Sequence, residues 1–572
     1  MKYQVLMAVC AGIFLGIAEF LGISINYPLA RCGSDTIMFA TFVIMGELAV
    51  MVSFFGLATL ISRLVPGSPL KRTHLFACLF IIYSTGLFLN IPPKMKFPED
   101  SESRLSKQSC RNIILVVMDT LRQDRLGCYG NYVIKTPGCD LFSKRGIIFP
   151  EVTTQIPITA PSHASMFTGL YPYEHGSRYN GVPVNGHVPL LAEILKKAGF
   201  FPAAFVSSTA VKGGITELKR GFEIYDEQFF LDRMNPQFKY VFPVAIMMKI
   251  FKIRGAERRA WLTNKRLFSC LPLLSQNAPF FLWLHYYDPH IPYQPSPPYD
   301  TMYDPDYQGT TIADLKTLLG LREKKISLSK RELEHIVSLY DGEVTSADRA
   351  FEQFYHYFQH QFPALFKNTL IVFTSDHGES LMEHEYFFYH GEKLYDQSLL
   401  VPLIISPPAL NGHLIAPSQQ ILLLDLFATF LDFAGIITEN TGPSRSLSQF
   451  FTKNQTTRKL HDQAVPAENG TLFFLNKGKH ELHLETKIFS LRNEKWKYII
   501  HPDGREEFYN LGVDPAEIEN RLNEQKELEQ YRAIFSAQAS ILRGKGNLKI
   551  KINPAAIDDL KSLGYINEGE SD

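Results

Sequence analysis

Apolar residues are distributed in two different ways along this chain of 572 residues. The first hundred residues contain three long apolar stretches, at about 5–25, 36–61 and 74–91, each near the roughly 20 residues that a helix needs to cross a bilayer. After residue 110 the apolar runs are short and are separated by polar segments, which is typical of an α/β fold. We therefore predict a membrane anchor of three transmembrane helices at 1–93, a tether at 94–110 and a large domain after it.

Charged residues beside the apolar stretches predict how the chain is oriented in the membrane. The loop between the second and third stretch contains Arg63, Lys71 and Arg72 and no acid, so we expect it to face the cytoplasm. Three crossings then place the large domain on the periplasmic or extracellular side, in an integral membrane protein. Glu19 and Glu47 lie within the stretches, either as functional carboxylates or as protonated acids that pair between helices, and the sequence leaves both open.

Composition narrows the function further. The chain has 58 basic and 58 acidic residues, so no net field attracts nucleic acid. Its seven cysteines are too sparse for a disulfide scaffold. The part beyond the tether is long enough for one elaborated α/β domain, predicted at 111–440, and a C-terminal subdomain at 441–572 that completes the same fold.

Two apolar runs lead into residues of the types that can bind metal ions. The run 113–118 leads into Asp119, and the run 370–375 leads into Asp376 and His377. Such continuous runs are typical of parallel strands that are buried on both faces, and the ligands of α/β proteins gather where those strands end. We therefore expect the three side chains to lie at one edge of the sheet.

A hydroxyl lies where a helix is predicted to begin. Thr159 is a favoured N-cap residue, and Pro161 fits the first turn, where a missing N–H group has no cost. The amides at a helix start stabilise negative charge such as an alkoxide or an anionic ester. Together with the Thr159 oxygen, Asp119, Asp376 and His377 are a ligand set for one divalent cation, and this oxygen-rich set leaves Mn, Mg, Ca and Zn open.

These segments resemble the sulfatase family within the alkaline phosphatase superfamily. The matching segments follow the order of the family, at 119–130, 161–163, 285–293, 376–379, 390–396, 497–500 and 509–515. The resemblance covers roughly residues 111–566 and implies a mixed, mainly parallel sheet flanked by helices, with a smaller C-terminal lobe. It also implies that His290 and His390 stabilise charge or protonate the leaving group. Four other histidines are not assigned as ligands: His163, His175, His285 and His384.

Three positions depart from the typical sulfatase pattern. Typical sulfatases carry at position 159 a cysteine or serine that is oxidised to formylglycine, but the β-carbon of Thr159 already bears a methyl group, so no formylglycine is expected. His163 replaces an arginine of the family, and Thr120 replaces the second aspartate of a pair. These changes resemble the branch with a threonine nucleophile, which includes the membrane-anchored lipoteichoic acid synthases and phosphoethanolamine transferases.

The resemblance implies a membrane-anchored, metal-dependent hydrolase or transferase. Thr159 would attack a phosphodiester on an envelope lipid or glycan, and water or an alcohol would release the phosphothreonine. Hydrolysis of sulfate esters is the alternative within the same family, and a catalytically silent domain that binds envelope components is a second alternative. The expected partners are the bilayer and an anionic ester, while the oligomeric state is left open.

Overall fold

The computed structural model describes residues 111–229 and 257–551, apart from short gaps at 409, 411, 439–440, 452–457, 462, 477–480 and 545–546. The three predicted spans, Glu19, Glu47 and the tether lie outside these residues. Within the described ranges, no helix combines the length and the apolar composition that crossing a bilayer requires. The boundaries predicted at 93, 110 and 440 stay predictions.

Fifteen strands and twelve α-helices make up the described part of the chain. The strands are β1 Asn112–Met118, β2 Ile147–Phe149, β3 Val152–Thr153, β4 Phe201–Phe205, β5 Ile224–Asp226, β6 Phe280–Tyr286, β7 Thr369–Ser375, β8 Leu403–Ser406, β9 Leu414–Ile415, β10 Ile421–Leu422, β11 Val465–Asn476, β12 Glu481–Arg492, β13 Trp496–Ile500, β14 Glu506–Asn510 and β15 Asn547–Lys551. The helices are α1 Pro137–Ser143, α2 Thr159–Thr168, α3 Pro172–His175, α4 Leu191–Lys197, α5 Gly213–Thr216, α6 Ala260–Gln276, α7 Leu315–Arg322, α8 Lys330–Gln361, α9 Pro363–Phe366, α10 Asp396–Leu399, α11 Asp425–Phe433 and α12 Gln525–Gly544.

The central sheet has eight strands in the order β5-β4-β6-β1-β7-β8-β2-β9. All neighbouring pairs are parallel except those that β8 forms with β7 and β2. Every residue of β1, β6 and β7 is buried, as their apolar sequences predict for strands covered on both faces. The prediction of an α/β fold with a mixed, mainly parallel sheet is confirmed. A second pair of strands, β3 and β10, lies apart from this sheet.

Helices pack against the sheet, with α6 against β4 and β6 and α4 against β4. The longest, α8, begins with a reciprocal cap in which the Ser329 hydroxyl accepts from the Glu332 amide and the Glu332 carboxylate accepts from the Ser329 amide. Its apolar residues pack against α1 and α6, and α11 packs against α2. The helix α2, which carries Thr159, is buried along its whole length.

A separate antiparallel sheet follows in the C-terminal part of the chain, in the order β11-β12-β13-β14, with β15 also paired to β12. An apolar cluster that includes Trp496, Phe508 and Tyr531 packs this sheet against α12. Buried ion pairs join it to the central domain. The Lys497 ammonium lies 2.8 Å from the Asp396 carboxylate and 2.8 Å from that of Glu517.

Candidate active site

The adjacent strands β1 and β7 bring the predicted ligands together. Met118 and Ser375 are paired across these strands, so the residues that follow them emerge side by side. His377 Nε2 lies 3.7 Å from Asp119 Oδ1 and 3.6 Å from Asp376 Oδ2. One ligand atom from each of these three buried side chains lies within 4.8 Å of the other two. Their roles as metal ligands stay predictions, but the required convergence is present.

The turn after β1 orients the Asp376 carboxylate. Thr120 has a positive φ of 57°, and its backbone amide donates to Asp376 Oδ1 at 3.3 Å. The His377 amide donates to the same oxygen at 2.9 Å. Both backbone hydrogen bonds therefore use Oδ1, and Oδ2 faces the histidines.

Thr159 begins α2 as its first helical residue, one position later than the N-cap that its residue type predicts. Ile158 occupies the N-cap, and the Ala160 amide donates to the Asn180 side-chain oxygen at 2.9 Å. The Thr159 hydroxyl consequently faces the ligand group, with Oγ1 3.4 Å from His377 Nε2. Ser162, one turn further on, donates from its hydroxyl to the Asp376 carbonyl at 2.7 Å and ties the helix to the ligand loop.

The electrostatics of this group fit a cation. Burial raises the pKa of Asp119 well above its ordinary value, and the nearby carboxylates of Asp376, Glu379 and Glu257 raise it further. Neither carboxylate oxygen of Asp119 accepts a hydrogen bond from the described residues. The Gly378 carbonyl lies 3.0 Å from His377 Nδ1, so an Nδ1–H donor there leaves a lone pair on Nε2. A buried carboxylate that accepts no hydrogen bond from the described residues, next to an imidazole held in this way, is the environment of a divalent cation.

His290 and His390 lie beside this group. The ring of His390 is centred 4.4 Å from that of His377 and 5.0 Å from that of His290. His390 Nδ1 lies 3.1 Å from Glu379 Oε1. Burial raises the pKa of Glu379 and lowers the pKa of His390, so we expect these two groups to share one proton and remain neutral together.

Two histidines that the sequence did not assign also lie at the site. His285 Nε2 is 3.6 Å from Asp119 Oδ2, and His163 Nδ1 is 3.7 Å from Asp376 Oδ2. The sequence contains a signal for the first of them, because His285 is a polar residue within an otherwise apolar buried strand, paired with Val117. Glu379 and Glu257, whose charges reach Asp119, were also missed.

The other two unassigned histidines have contacts elsewhere. His175 Nε2 lies 3.0 Å from the Ser165 hydroxyl, and the His384 ring stacks on Tyr395 at 3.6 Å. Both histidines therefore contact described residues outside the predicted ligand set.

A family model described as Sulfatase matches residues 111–436, more than half of the chain. The chain therefore belongs to the sulfatase family of ester hydrolases, which confirms the predicted family and the prediction of an enzyme. Among curated relatives, it is 24% identical over 463 residues to "Arylsulfatase K" of Rattus norvegicus, covering 75% of this chain and 78% of that protein. It is also 24% identical to "Multifunctional alkaline phosphatase superfamily protein PehA" of Trinickia caryophylli, covering 72% of this chain and 91% of that protein.

Solved structures show the same fold. The phosphonate monoester hydrolase of Agrobacterium radiobacter aligns with a TM-score of 0.57 at 18% identity, covering 77% of this chain and 99% of its own. A protein solved with its substrate D-glucosamine-2-N,6-O-disulfate aligns with a TM-score of 0.59 at 18% identity, covering 76% and 98% of the two chains. At this identity the likeness establishes the fold alone.

Proposed function

We propose that this protein cleaves phosphodiesters with a threonine nucleophile, as a divalent-metal-dependent hydrolase or transferase. The observation that carries the proposal is the position of the Thr159 hydroxyl at the start of a buried helix, 3.4 Å from Nε2 of His377, the histidine that lies with the Asp119 and Asp376 carboxylates. A hydroxyl next to a cation ligand set at a helix N-terminus has the environment that an attacking oxygen requires.

Each residue has a defined task in the reaction that we propose. Asp119, Asp376 and His377, with the Thr159 oxygen, would hold one divalent cation, of which Mn, Mg, Ca and Zn are the candidates. Such a cation, when bound, lowers the pKa of a ligand hydroxyl and neutralises charge on an anionic ester. The bond from Thr159 Oγ1 to phosphorus forms while the bond to the leaving oxygen breaks, and water or an alcohol later displaces the threonine.

The Glu379–His390 pair supports the departure of the leaving group. A proton held between Glu379 Oε1 and His390 Nδ1 keeps the pair neutral, and a neutral imidazole can donate to a developing negative oxygen without the cost of burying a charge. His290, with its ring next to that of His390, is the second group that we assign to charge stabilisation.

Hydrolysis of sulfate esters is the second candidate function. It is favoured by the relatives named arylsulfatases, from Rattus norvegicus and from Clostridium perfringens, the latter 24% identical over 458 residues. The side chain at position 159 favours the phosphodiester, because threonine cannot become the formylglycine of typical sulfatases. PehA, named as multifunctional, is a relative whose name is compatible with either ester.

A comparison of two matched substrates distinguishes cleavage of phosphodiesters from hydrolysis of sulfate esters. The full chain, purified with Mn²⁺, is incubated with an aryl phosphodiester and with the matching aryl sulfate, and acid-quenched samples are digested for mass spectrometry. We expect turnover of the phosphodiester and a phosphate adduct on the peptide that carries Thr159. Thr159→Val should abolish both, whereas Thr168→Val, the same change at the far end of α2, should preserve them. Turnover of the sulfate alone would refute the proposal.

The anchor and the location belong to the same proposal. Three transmembrane spans at 1–93 would hold the enzyme at a membrane with the active site on the periplasmic or extracellular side, where an ester on a lipid or glycan is the substrate. Protease added outside intact cells, or outside spheroplasts if an outer membrane is present, should cleave the large domain. Protection of that domain until the membrane is permeabilised would contradict this orientation.

A further inference from the structure

A second group of metal-binding side chains lies against the first. One ring nitrogen of His163, one ring nitrogen of His285 and one carboxylate oxygen of Asp376 lie within 4.8 Å of one another. All three side chains are fully buried. The group differs from the proposed ligand set in both histidines and shares with it only Asp376. It is therefore a distinct donor set, richer in nitrogen than the first.

Asp119 is placed between the two groups. Its Oδ1 lies 3.7 Å from His377 Nε2, while its Oδ2 lies 3.6 Å from His285 Nε2. Each oxygen of one carboxylate thus faces the histidine of a different group. Asp376 has a similar position, because its Oδ2 lies 3.6 Å from His377 Nε2 and 3.7 Å from His163 Nδ1. Carboxylates in this arrangement can bridge two cations.

Four polar side-chain atoms of the second group have no hydrogen-bond partner among the described residues. Within the described part of the chain, no partner is present for His163 Nε2, for either ring nitrogen of His285, or for Asp376 Oδ2. Buried polar atoms cost free energy unless they are paired, and a metal ion satisfies several at once. The His163 ring is positioned independently of any ion, since its Nδ1 lies 2.8 Å from the Thr159 carbonyl.

Charge decides which kind of ligand fits. Asp119 and Asp376 place buried carboxylate oxygens beside the histidines of both groups. An anion in this position would face these carboxylates, whereas a cation would be attracted by them. We propose that His163, His285 and Asp376, with Asp119 as a bridge, form a second divalent cation site. This proposal rests on the first cation site of the proposed function.

The ligand types predict which metal binds there. Two imidazoles with carboxylate oxygens favour Zn²⁺ or Mn²⁺ over Mg²⁺ and Ca²⁺, which bind mainly through oxygen. Two cations joined by carboxylates are an arrangement that supports displacement at phosphorus, because both the entering and the leaving oxygen can be neutralised. The second site would thus adapt the sulfatase fold to a phosphodiester.

Metal stoichiometry tests this inference without reference to activity. The full chain is stripped with a chelator, dialysed against a small excess of Zn²⁺ and analysed for zinc per chain by elemental mass spectrometry. We expect two ions in the wild type and one in either His163→Gln or His285→Gln. His356→Gln is the matched control, because His356 is exposed and pairs with His360 at a ring distance of 5.8 Å, which could hold an adventitious ion.

The outcomes separate the two proposals. One ion in the wild type overturns the second site and leaves the proposed function intact, whereas no ion overturns both. Loss of the second ion in His356→Gln assigns it to the surface and also overturns the inference. Where a His163 or His285 variant does not fold, the Mn²⁺-loaded wild type decides by electron paramagnetic resonance. Two bridged ions give a spin-coupled spectrum, and uncoupled Mn²⁺ alone refutes the bridge.

Discussion

Because the Asp119 carboxyl group is buried, we expect the metal-free protein to lose stability as pH rises and to gain stability when it binds a metal ion. Asp119 is fully buried, and its pKa is raised well above the reference value of 3.8 by burial first and by neighbouring carboxylates second. The metal-free folded state therefore retains a proton that the unfolded chain releases. The stability from this group is complete below about pH 4 and is lost as pH rises toward the folded pKa, at about 1.4 kcal/mol per pH unit.

Asp119→Asn should remove this dependence, because the amide has nearly the shape of the protonated acid and cannot ionise. As pH rises from the reference pKa of 3.8 toward the raised folded pKa, the wild type should lose stability relative to the variant by about 1.4 kcal/mol per pH unit. In chelator at pH 6, Asp119→Asn should thus be the more stable protein. Urea denaturation across pH 4–7 measures the difference.

Bound Mn²⁺ should stabilise the wild type more than Asp119→Asn. At a Mn²⁺ concentration 1,000 times its dissociation constant, the wild type gains about 4 kcal/mol, whereas a variant with a thousandfold weaker site gains less than about 1 kcal/mol. Asp306→Asn, which alters an exposed carboxylate, should follow the wild type throughout. If the wild type in chelator is as stable as Asp119→Asn at pH 6, or if both gain equally from Mn²⁺, the reasoning about this site is wrong.

Three further substitutions test other parts of the site. His390→Gln should lower kcat by about 10²–10⁴-fold for substrates with poor leaving groups and much less for activated aryl esters, measured by steady-state kinetics. Gly378→Ala should destabilise the protein and weaken Mn²⁺ binding, because its Cβ would overlap the Gln397 carbonyl, whereas Gly186→Ala, with open space around it, should do neither in thermal melts. Lys497→Met should cost about 3–5 kcal/mol in urea denaturation, because it removes the cation that is paired with the buried Glu517 carboxylate and leaves Asp396 with Arg492 alone.

The features of the fold that depend on a single strand are the ones that the sequence predicts best. The runs before Asp119 and Asp376 are long and apolar, so their burial, their parallel pairing and the edge at which they end follow from local pattern. The helix α2 begins one residue earlier than an N-cap at Thr159 predicts, because the Ser162 amide, which a Thr159 cap would have bonded, donates to the Ile158 carbonyl.

The parts that could not be predicted depend on which elements become neighbours. His285 faces Asp119 only because β6 pairs with β1, and nothing around His285 in sequence specifies that partner. His163 lies within α2, and its neighbours in sequence do not specify that its Nδ1 comes within 3.7 Å of Asp376 Oδ2. The strands β2 and β9 contain three and two residues, too few to show an alternation of apolar and polar positions. The antiparallel pairing of β8 with its two neighbours therefore has no local signal in the sequence.

The ion pairs of Asp396 limit how far the chain can be shortened from its C-terminal end. Asp396 binds Lys497 and Arg492, both contributed by the C-terminal sheet, and the Ser398 carbonyl two residues later accepts from the amide of Gly378. A chain that stopped at the end of the matched family region, residue 436, would leave Asp396 buried without either of these cations. We expect such a truncation to yield insoluble or inactive protein, so the smallest expressible catalytic unit extends beyond Glu517.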